Sequence, residues 1–512
     1  MKSTKSRPKS PKKAAQPAGL PELTERAWRI GAAAILAAGA LLRFYDLGLK
    51  PLHHDEGVNG LFLMHVAHEG YYRYDPANYH GPTLYYLAAL VTRINGLFHG
   101  DGLSDASVRV ITAIFGIATV ALVLWLRPLL GKRGALAGAA LIAVSPGAVF
   151  YSRYFIHETL FVFFALAAAV CGWLAWKRSN PAYLPAGAVA AAFLFATKET
   201  ALASLVALAL AVATQRVWAR MRLGREVPAP RRRGWPRGAL YASLGAALFA
   251  AVFVVLYSSF FTNFPKGIYD ALASLSVWTK TGFTTEFYPK YIYLTWIWRE
   301  EWPLALIAVA GTAVAVWSRP RSFAALAGIW GAGLFVAYTL IPYKEPWLAL
   351  NFTIPAAIAG GYGAVHLWAG AKGRARVAMS LAGVAALGVL LYQTVSLNFV
   401  HYADNDEPYV YLHTTLDIND LMRDIRATAA RTGAGLKMPI DIVAPEYWPL
   451  PWYLREYKNT GYWGHMIVTH APAVICLKID AWGLKDRLGP AYQFVRFYDL
   501  RPGVTLALFT RK

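Results

Sequence analysis

The sequence predicts a polytopic α-helical membrane protein, with about eleven transmembrane helices and a small extracytoplasmic α/β domain at its C-terminal end. Of its 512 residues, 56% are apolar and only 16% are charged, and the mean hydropathy is +0.35. Soluble domains carry roughly 25% charged residues. The composition therefore excludes a disordered chain, a coiled coil and an ordinary cytosolic enzyme, and the apolar excess requires lipid around it.

Eleven apolar runs carry the helical part of this prediction, because each is near the ~20 residues that cross a bilayer. We expect the first run to be a membrane anchor rather than a signal peptide, since its basic leader is too long for one. The runs cover about 28–47, 107–126, 134–151, 155–176, 182–197, 200–217, 238–261, 303–317, 323–341, 347–369 and 377–399.

The distribution of basic residues predicts the orientation of these helices. With a cytoplasmic N-terminus, the cytoplasmic segments contain 26 of the 51 Lys and Arg residues and only three acids, Glu22, Glu25 and Glu226. The positive-inside rule selects this arrangement in a plasma (inner) membrane. It also accounts for the net charge of +22 without nucleic acid, so we interpret the basic tract 231–233 as a topology determinant beside membrane lipids.

The predicted organisation has three parts. A basic cytoplasmic tail covers 1–27, a transmembrane domain with a long first outer loop at 48–106 covers 28–400, and the extracytoplasmic α/β domain covers 401–512. In the outer loop, 83–98 is apolar but contains Arg93, which predicts a helix in the membrane interface rather than a span. In the C-terminal domain we expect a helix at 417–431 capped by Asp417, and strands at 440–443, 474–477, 492–498 and 504–509.

The string HHDEGVNG at 53–60 is the most informative motif, because it places Asp55 and Glu56 together just outside the first helix. Adjacent carboxylates at a membrane surface are costly to desolvate, which favours a function for them. A solvated pair of loop acids is the alternative.

Three further turns carry charges at helix ends, and the predicted topology opens all of them to the same outer side as Asp55. Together they could line one cavity. Each also has a plain structural alternative, such as a local ion pair that ends two helices or an interfacial tryptophan anchor. The charged and aromatic residues of these turns are Arg153, His157, Glu158, Lys198, Glu199, Lys344, Glu345 and Trp347.

The outer loop 71–82 is dense in aromatic residues and includes Tyr79 and His80. Aromatic rings with interspersed polar groups suit the faces of sugars, and they equally suit packing at the level of lipid headgroups. The residues alone leave both uses open.

Taken in order, several strings resemble the GT-C glycosyltransferases, in the branch of protein O-mannosyltransferases and aminoarabinose transferases. They are most similar to a bacterial and archaeal family named for an association with flippase activity in archaeal N-glycosylation. The resemblance covers roughly 28–400 and is weaker over the tail. The strings are HHDEGVNG (53–60), YDPANYHGPTLYY (74–86), SPGAVFYSRYFIHETLF (145–161) and YKEPW (343–347).

The resemblance implies an inverting enzyme that moves a sugar from a polyprenyl-phosphate carrier to a protein, lipid or glycan acceptor at the outer face. It implies that Asp55 is the general base, that Glu56 orients the acceptor or Asp55, and that Glu158 is a second acid. His157 departs from the family pattern. Arg153, Lys198 and Lys344 are the candidates for binding the carrier phosphate. The remaining predicted pocket residues are His54, Asn59, Tyr79, His80, His157, Glu199, Glu345 and Trp347.

No cofactor is required by this interpretation, and no metal ligand is assigned. The alternative is a divalent ion held by His53, His54, His80 and Asp55. Two other functions remain as alternatives: a flippase, or flippase-associated component, for polyprenyl-linked sugars, and a non-catalytic membrane scaffold.

Overall fold

The computed structural model describes residues 21–76, 80–224, 237–281 and 288–512. Within these ranges the chain forms helices α1–α18 and strands β1–β5. The helices are Glu25–Phe44, His54–Glu69, Thr83–Gly96, Asp105–Trp125, Arg127–Ala143, Pro146–Ser152, Glu158–Arg178, Tyr183–Phe195, Ala201–Leu223, Gly238–Tyr257, Lys266–Thr281, Ile292–Ser318, Phe323–Leu340, Leu350–Gly370, Gly373–Val395, Asp417–Arg431, Leu450–Tyr453 and Ala481–Leu488. The strands are Ile440–Ile442, Thr460–Tyr462, Ala473–Leu477, Tyr492–Arg501 and Val504–Arg511.

The chain is an integral membrane protein with a mostly helical transmembrane part. Nine helices in the described ranges are long and apolar enough to span a bilayer, and the number is ten if α5 and α6, which meet at a bend of 62°, form one span together. The predicted run 182–197 forms only α8, which has 13 residues. A helix of that length is about 20 Å long, short of the ~30 Å hydrocarbon core, so the run 182–197 is not a full span by itself.

Helix α12 begins earlier than the predicted run 303–317 and continues through two acids. Its backbone breaks at Glu301, whose φ and ψ are −151° and 40°. The Glu301 carboxylate accepts hydrogen bonds from Ser145 Oγ at 2.6 Å and from the Tyr409 hydroxyl at 2.9 Å. These donors compensate the carboxylate for its loss of water, so Glu301 can be buried inside α12. The predicted run 303–317 had left this residue outside the helix.

Glycines bring α12 and α14 into backbone contact. A Cβ atom added at Gly311 would lie 2.4 Å from the Cα of Gly360, and one added at Gly363 would lie 2.3 Å from the Cα of Gly311. Small residues allow transmembrane helices to approach this closely. This crossing fixes α14, whose N-terminal end adjoins the turn that carries Trp347.

The C-terminal domain is a five-stranded sheet between α16 and α18, with strand order β2-β1-β3-β5-β4. Strand β1 is parallel to β2 and β3, whereas β5 is antiparallel to β3 and β4. Along β3, Ala473 and Ile475 pack toward the α16 side, and Val474 and Cys476 toward the α18 side. The predicted strands are confirmed and β2 is an addition. Asp417 is the first residue of α16 rather than its cap, and its carboxylate accepts from the Asp499 backbone N–H.

The C-terminal domain docks through α17 on the segment that leads from α1 to the start of α4. The Trp452 indole N–H donates to Asp105 Oδ1 at 2.7 Å, and the Tyr453 hydroxyl accepts from the Leu52 N–H at 2.7 Å. A Cβ atom at Gly57 would lie 2.4 Å from the Cβ of Pro449. Gly57 therefore permits close packing of α17 against α2, the helix that begins at the paired acids.

Candidate active site

The paired acids lie in the first turn of α2, and a capping box fixes that turn. His53 is the N-cap, and its Nδ1 accepts from the Asp55 N–H at 3.1 Å, while Glu56 Oε2 accepts from the His53 N–H at 3.0 Å. The Asp55 side chain is 41% exposed, and its carboxylate lies 4.0 Å from His53 Nδ1. Carboxylates are favoured in the first turn of a helix, where the leading backbone N–H groups have no partner within the helix.

Glu56 is fully buried and bound on both oxygens. Arg109 Nε and Nη2 donate to its two oxygens at 2.7 Å each, and the Phe155 N–H donates to Oε1 at 2.7 Å. Burial acts to raise the pKa of Glu56, but the charge and hydrogen bonds of Arg109, together with Lys50 and the His53 N–H, lower this pKa below its usual value. Glu56 is thus a fixed anion that holds the start of α2.

Two arginines donate hydrogen bonds to backbone carbonyls in the last turn of α1 and in the segment between α1 and α2. Arg109 donates to Leu47, Lys50 and Pro51 at 2.8–2.9 Å. The guanidinium of Arg153 donates to four carbonyls that precede these, with 2.8 Å to Asp46. The predicted phosphate ligand Arg153 is therefore engaged with the backbone. Sequence reasoning missed Arg109, although a lone arginine early in the apolar run 107–126 was a usable signal.

A second cluster of charged residues joins the turn that carries Glu158 to the turn that carries Lys198 and Glu199. Lys198 Nζ donates to Glu158 Oε1 at 2.6 Å, and both side chains are at least 94% buried. Glu199 accepts from the Tyr74 hydroxyl at 2.8 Å and lies 2.8 Å from His80 Nδ1. The lysine and the histidine here each face a carboxylate, so the cluster consists of two pairs of a basic group with an acid.

Hydrogen bonds and ring contacts connect this cluster to the paired acids. Asn59, one turn beyond Asp55 on α2, donates to the Phe155 carbonyl at 2.9 Å and accepts from the Tyr85 hydroxyl at 2.8 Å. The ring centroid of His157 lies 5.4 Å from that of Tyr85 and 5.0 Å from that of His80. The turn of the paired acids therefore lies beside the turns that carry Glu158 and Lys198, on one side of the helices.

The turn that carries Lys344, Glu345 and Trp347 contacts the paired-acid turn through its tryptophan. The ring of Trp347 lies 6.1 Å from the ring of His53, centroid to centroid. Lys344 instead donates to carbonyls at the C-terminal end of α13, those of Tyr338 at 2.5 Å and Thr339 at 3.0 Å. Glu345 contacts the Tyr293 hydroxyl through its backbone at 3.2 Å. Tyr79, also predicted for the pocket, lies outside the described residues.

Lys50 and His413 are site residues that the sequence did not indicate. The Lys50 Nζ atom is buried 3.6 Å from the Phe150 ring centroid, and no residue in the described ranges accepts a hydrogen bond from it. His413, from the segment that enters the C-terminal domain, stacks on His53 with centroids 5.7 Å apart. Burial lowers the pKa of His53 to about 4 and that of His413 well below its usual value, so both rings are neutral at pH 7.

The described residues do not bring together the histidines of the metal alternative. Across 21–76, 80–224, 237–281 and 288–512 there is no group of three or more His, Cys, Asp or Glu side chains placed to hold a metal ion. His80 pairs with Glu199, and the Nδ1 atom of His53 is used by the Asp55 N–H. The donor set His53, His54, His80 and Asp55 does not converge on one point.

Comparisons with known proteins connect this arrangement to membrane glycosyltransferases. The profile of the family described as dolichyl-phosphate-mannose-protein mannosyltransferase matches residues 79–228. ArnT from Cupriavidus metallidurans, solved with undecaprenyl phosphate, is similar with a TM-score of 0.62, at 15% identity over 94% of this chain and 98% of that one. The chain has the GT-C fold.

Other GT-C structures are similar over most of this chain. The oligosaccharyltransferase AglB from Archaeoglobus fulgidus, solved with an inhibitory peptide and a dolichol-phosphate, has a TM-score of 0.56 and 14% identity over 89% of this chain and 70% of that one. The mycobacterial arabinofuranosyltransferase AftD has a TM-score of 0.50 and 14% identity, covering 96% of this chain and 40% of that one. A search of curated proteins finds no match to the sequence.

Proposed function

We propose that this protein is an inverting glycosyltransferase that moves a sugar from a polyprenyl-phosphate carrier to an acceptor hydroxyl at the outer face of the membrane. The observation that carries the proposal is that the two adjacent acids have different environments. Glu56 is sealed against Arg109, whereas the carboxylate of Asp55 is 41% exposed at the start of the same helix. One acid holds the turn and the other is available to a substrate.

In the proposed reaction Asp55 is the general base. The acceptor oxygen attacks the anomeric carbon, its proton passes to the Asp55 carboxylate, and the bond from the anomeric carbon to the phosphate oxygen breaks. The electron pair of that bond leaves with the lipid phosphate. The acceptor attacks from the face opposite the phosphate, so this single displacement inverts the anomeric configuration. General base catalysis contributes about 10²–10⁴-fold.

Lys198 is our first choice among the three proposed phosphate ligands. An ammonium has three N–H donors, and the hydrogen bond to Glu158 uses one of them. Arg153 and Lys344 are occupied mainly by backbone carbonyls, which makes them supports of the site in this proposal. A cation close to the leaving phosphate stabilises the charge that develops on it. The GT-C fold, shared with ArnT solved with undecaprenyl phosphate, supports a lipid-phosphate substrate.

The test uses purified protein with a panel of radiolabelled undecaprenyl-phosphate hexoses and pentoses and a cell-envelope extract as acceptor. Asp55→Asn should reduce label transfer by about 100-fold or more while the melting temperature is retained. Glu69→Gln, an exposed acid at the end of the same helix, is the matched control and should keep full activity. Unchanged transfer in Asp55→Asn contradicts the assignment, and movement of intact carrier across vesicles without any transfer contradicts the proposed reaction.

A further inference from the structure

The C-terminal domain contributes side chains directly beside the proposed base. Arg501 Nη1 lies 3.1 Å from His54 Nδ1 and 2.8 Å from the Trp448 carbonyl, and Arg501 also pairs with Glu446. A guanidinium only donates, so Nδ1 of His54 accepts and the neutral ring carries its proton on Nε2. The domain thereby sets the orientation of the residue next to Asp55.

A row of aromatic rings leads from that residue across the domain. The ring centroid of Trp448 is 6.2 Å from that of His54 and 6.0 Å from that of Tyr447. Tyr447 is in turn 5.1 Å from Tyr462, on the edge strand β2. The rings of Trp448, Tyr447 and Tyr462 are all partly exposed. We call these three residues the aromatic row.

A planar ion pair accompanies the row. The Arg501 side chain is 12% exposed and holds Glu446, whose carboxylate side chain is 55% exposed. An exposed carboxylate held by a guanidinium is a rigid acceptor for hydroxyl groups, and the guanidinium is a rigid donor. The combination of ring faces and charged planar groups matches the two kinds of surface that a sugar presents, its C–H face and its hydroxyl rim.

We propose that the aromatic row, together with Arg501 and Glu446, binds a glycan acceptor and leads its terminal hydroxyl toward Asp55. This inference deepens the proposed function and rests on it. A peptide acceptor would be expected to pair along a strand edge, but β2 offers only the three residues Thr460–Tyr462. The row is instead continuous with the acid turn, as an acceptor path must be.

Binding of defined oligosaccharides to the full-length protein tests the proposal. The probes are hexasaccharides of mannan, arabinan, glucan and galactan, measured by thermophoresis. We expect at least one to bind, and we expect Tyr447→Ala and Trp448→Ala each to weaken that binding by about tenfold. Trp482→Ala is the matched control, since Trp482 is 55% exposed and contacts Phe494 on the opposite edge strand β4. It should leave binding unchanged.

Two further variants separate the possible failures. Glu446→Gln keeps the shape of an exposed side chain, so it should weaken binding without unfolding the protein. It therefore tests the proposal even if a tryptophan variant fails to fold. Asp55→Asn should retain oligosaccharide binding, so loss of transfer and loss of binding are independent results. The proposal is overturned if no oligosaccharide binds, if Trp482→Ala weakens binding as much as Tyr447→Ala, or if a peptide or a phospholipid vesicle binds the row instead.

Discussion

Arg109 illustrates how one buried side chain can organise the turn that carries the paired acids. It binds both oxygens of Glu56 and three backbone carbonyls, and neither charged side chain has any solvent exposure. Breaking a buried pair leaves an uncompensated charge, which is far more costly than the pair itself. The position of Asp55 therefore depends on a residue 54 places further along the chain.

We predict that Arg109→Met destabilises the protein by about 3–5 kcal/mol, because it leaves the Glu56 carboxylate buried without a cation. Thermal unfolding in detergent measures this. The double variant Arg109→Met/Glu56→Gln should recover part of the loss. Arg93→Met, at an exposed arginine of α3, should change the melting temperature little. Equal melting temperatures for the two single variants would contradict the structural role of Arg109.

His53 should make stability depend on pH. Its pKa is about 4 when folded because burial disfavours the charged ring, against about 6.5 unfolded. The stabilisation is complete above pH 6.5 and falls as the pH drops toward 4, by about 3 kcal/mol in total. His53→Asn keeps an N-cap acceptor without this titration. It should therefore flatten the acid limb of the plot of melting temperature against pH. An unaltered acid limb would rule His53 out as its source.

At the scale of elements, the glycine crossing of α12 and α14 is the most sensitive contact. The Cβ of any residue replacing Gly311 would meet the backbone of Gly360 rather than a movable side chain. Helices forced apart here would displace the turn at Trp347 from His53.

We predict that Gly311→Leu lowers the melting temperature and sugar transfer together, because overpacking costs about 1–3 kcal/mol or more. The melting temperature and initial transfer rate of the purified protein are the measurements. Gly333→Leu in α13 is the control, since a Cβ at Gly333 meets no atom within 4 Å. A Gly311→Leu protein that melts and turns over like the control would show that the crossing tolerates separation.

Helices were predictable from sequence where apolar length alone decides, and the run at 323–341 agrees closely with Phe323–Leu340. The start of α12 could not be predicted in this way, because the apolar pattern does not reveal that Ser145 and Tyr409 donate hydrogen bonds to the buried Glu301. The same limit applies to the site. Asp55 and Glu158 stand out beside helix ends, whereas Lys50 and His413 acquire meaning only from contacts between segments far apart in sequence.

For the whole molecule, the sequence predicted a helical membrane part followed by an α/β domain, and this architecture is confirmed. The order of the strands was not predictable, since β1, β2 and β3 are parallel neighbours without any fixed sequence spacing. The docking of α17 on α2 was also hidden, because the glycines at 57 and 60 read as ordinary helix residues until Pro449 and Trp452 are opposite them.

The orientation of the molecule is itself testable. In a background lacking Cys171 and Cys476, we predict that Val468→Cys is labelled by a membrane-impermeant thiol reagent in right-side-out vesicles, because this side chain is 92% exposed on the C-terminal domain. Lys372→Cys, exposed between α14 and α15, should be labelled only in inside-out vesicles. The reverse pattern would invert the topology.

The hydrogen bonds from Trp452 and Tyr453 to Asp105 join residues more than 340 positions apart. These bonds tie the start of α4 to the C-terminal domain, so a variant without that domain also lacks this clamp on the segment between α1 and α4. The contact between Arg501 and His54 would be lost with it. The final shape of the turn at the start of α2 is therefore coupled to the folding of the C-terminal domain.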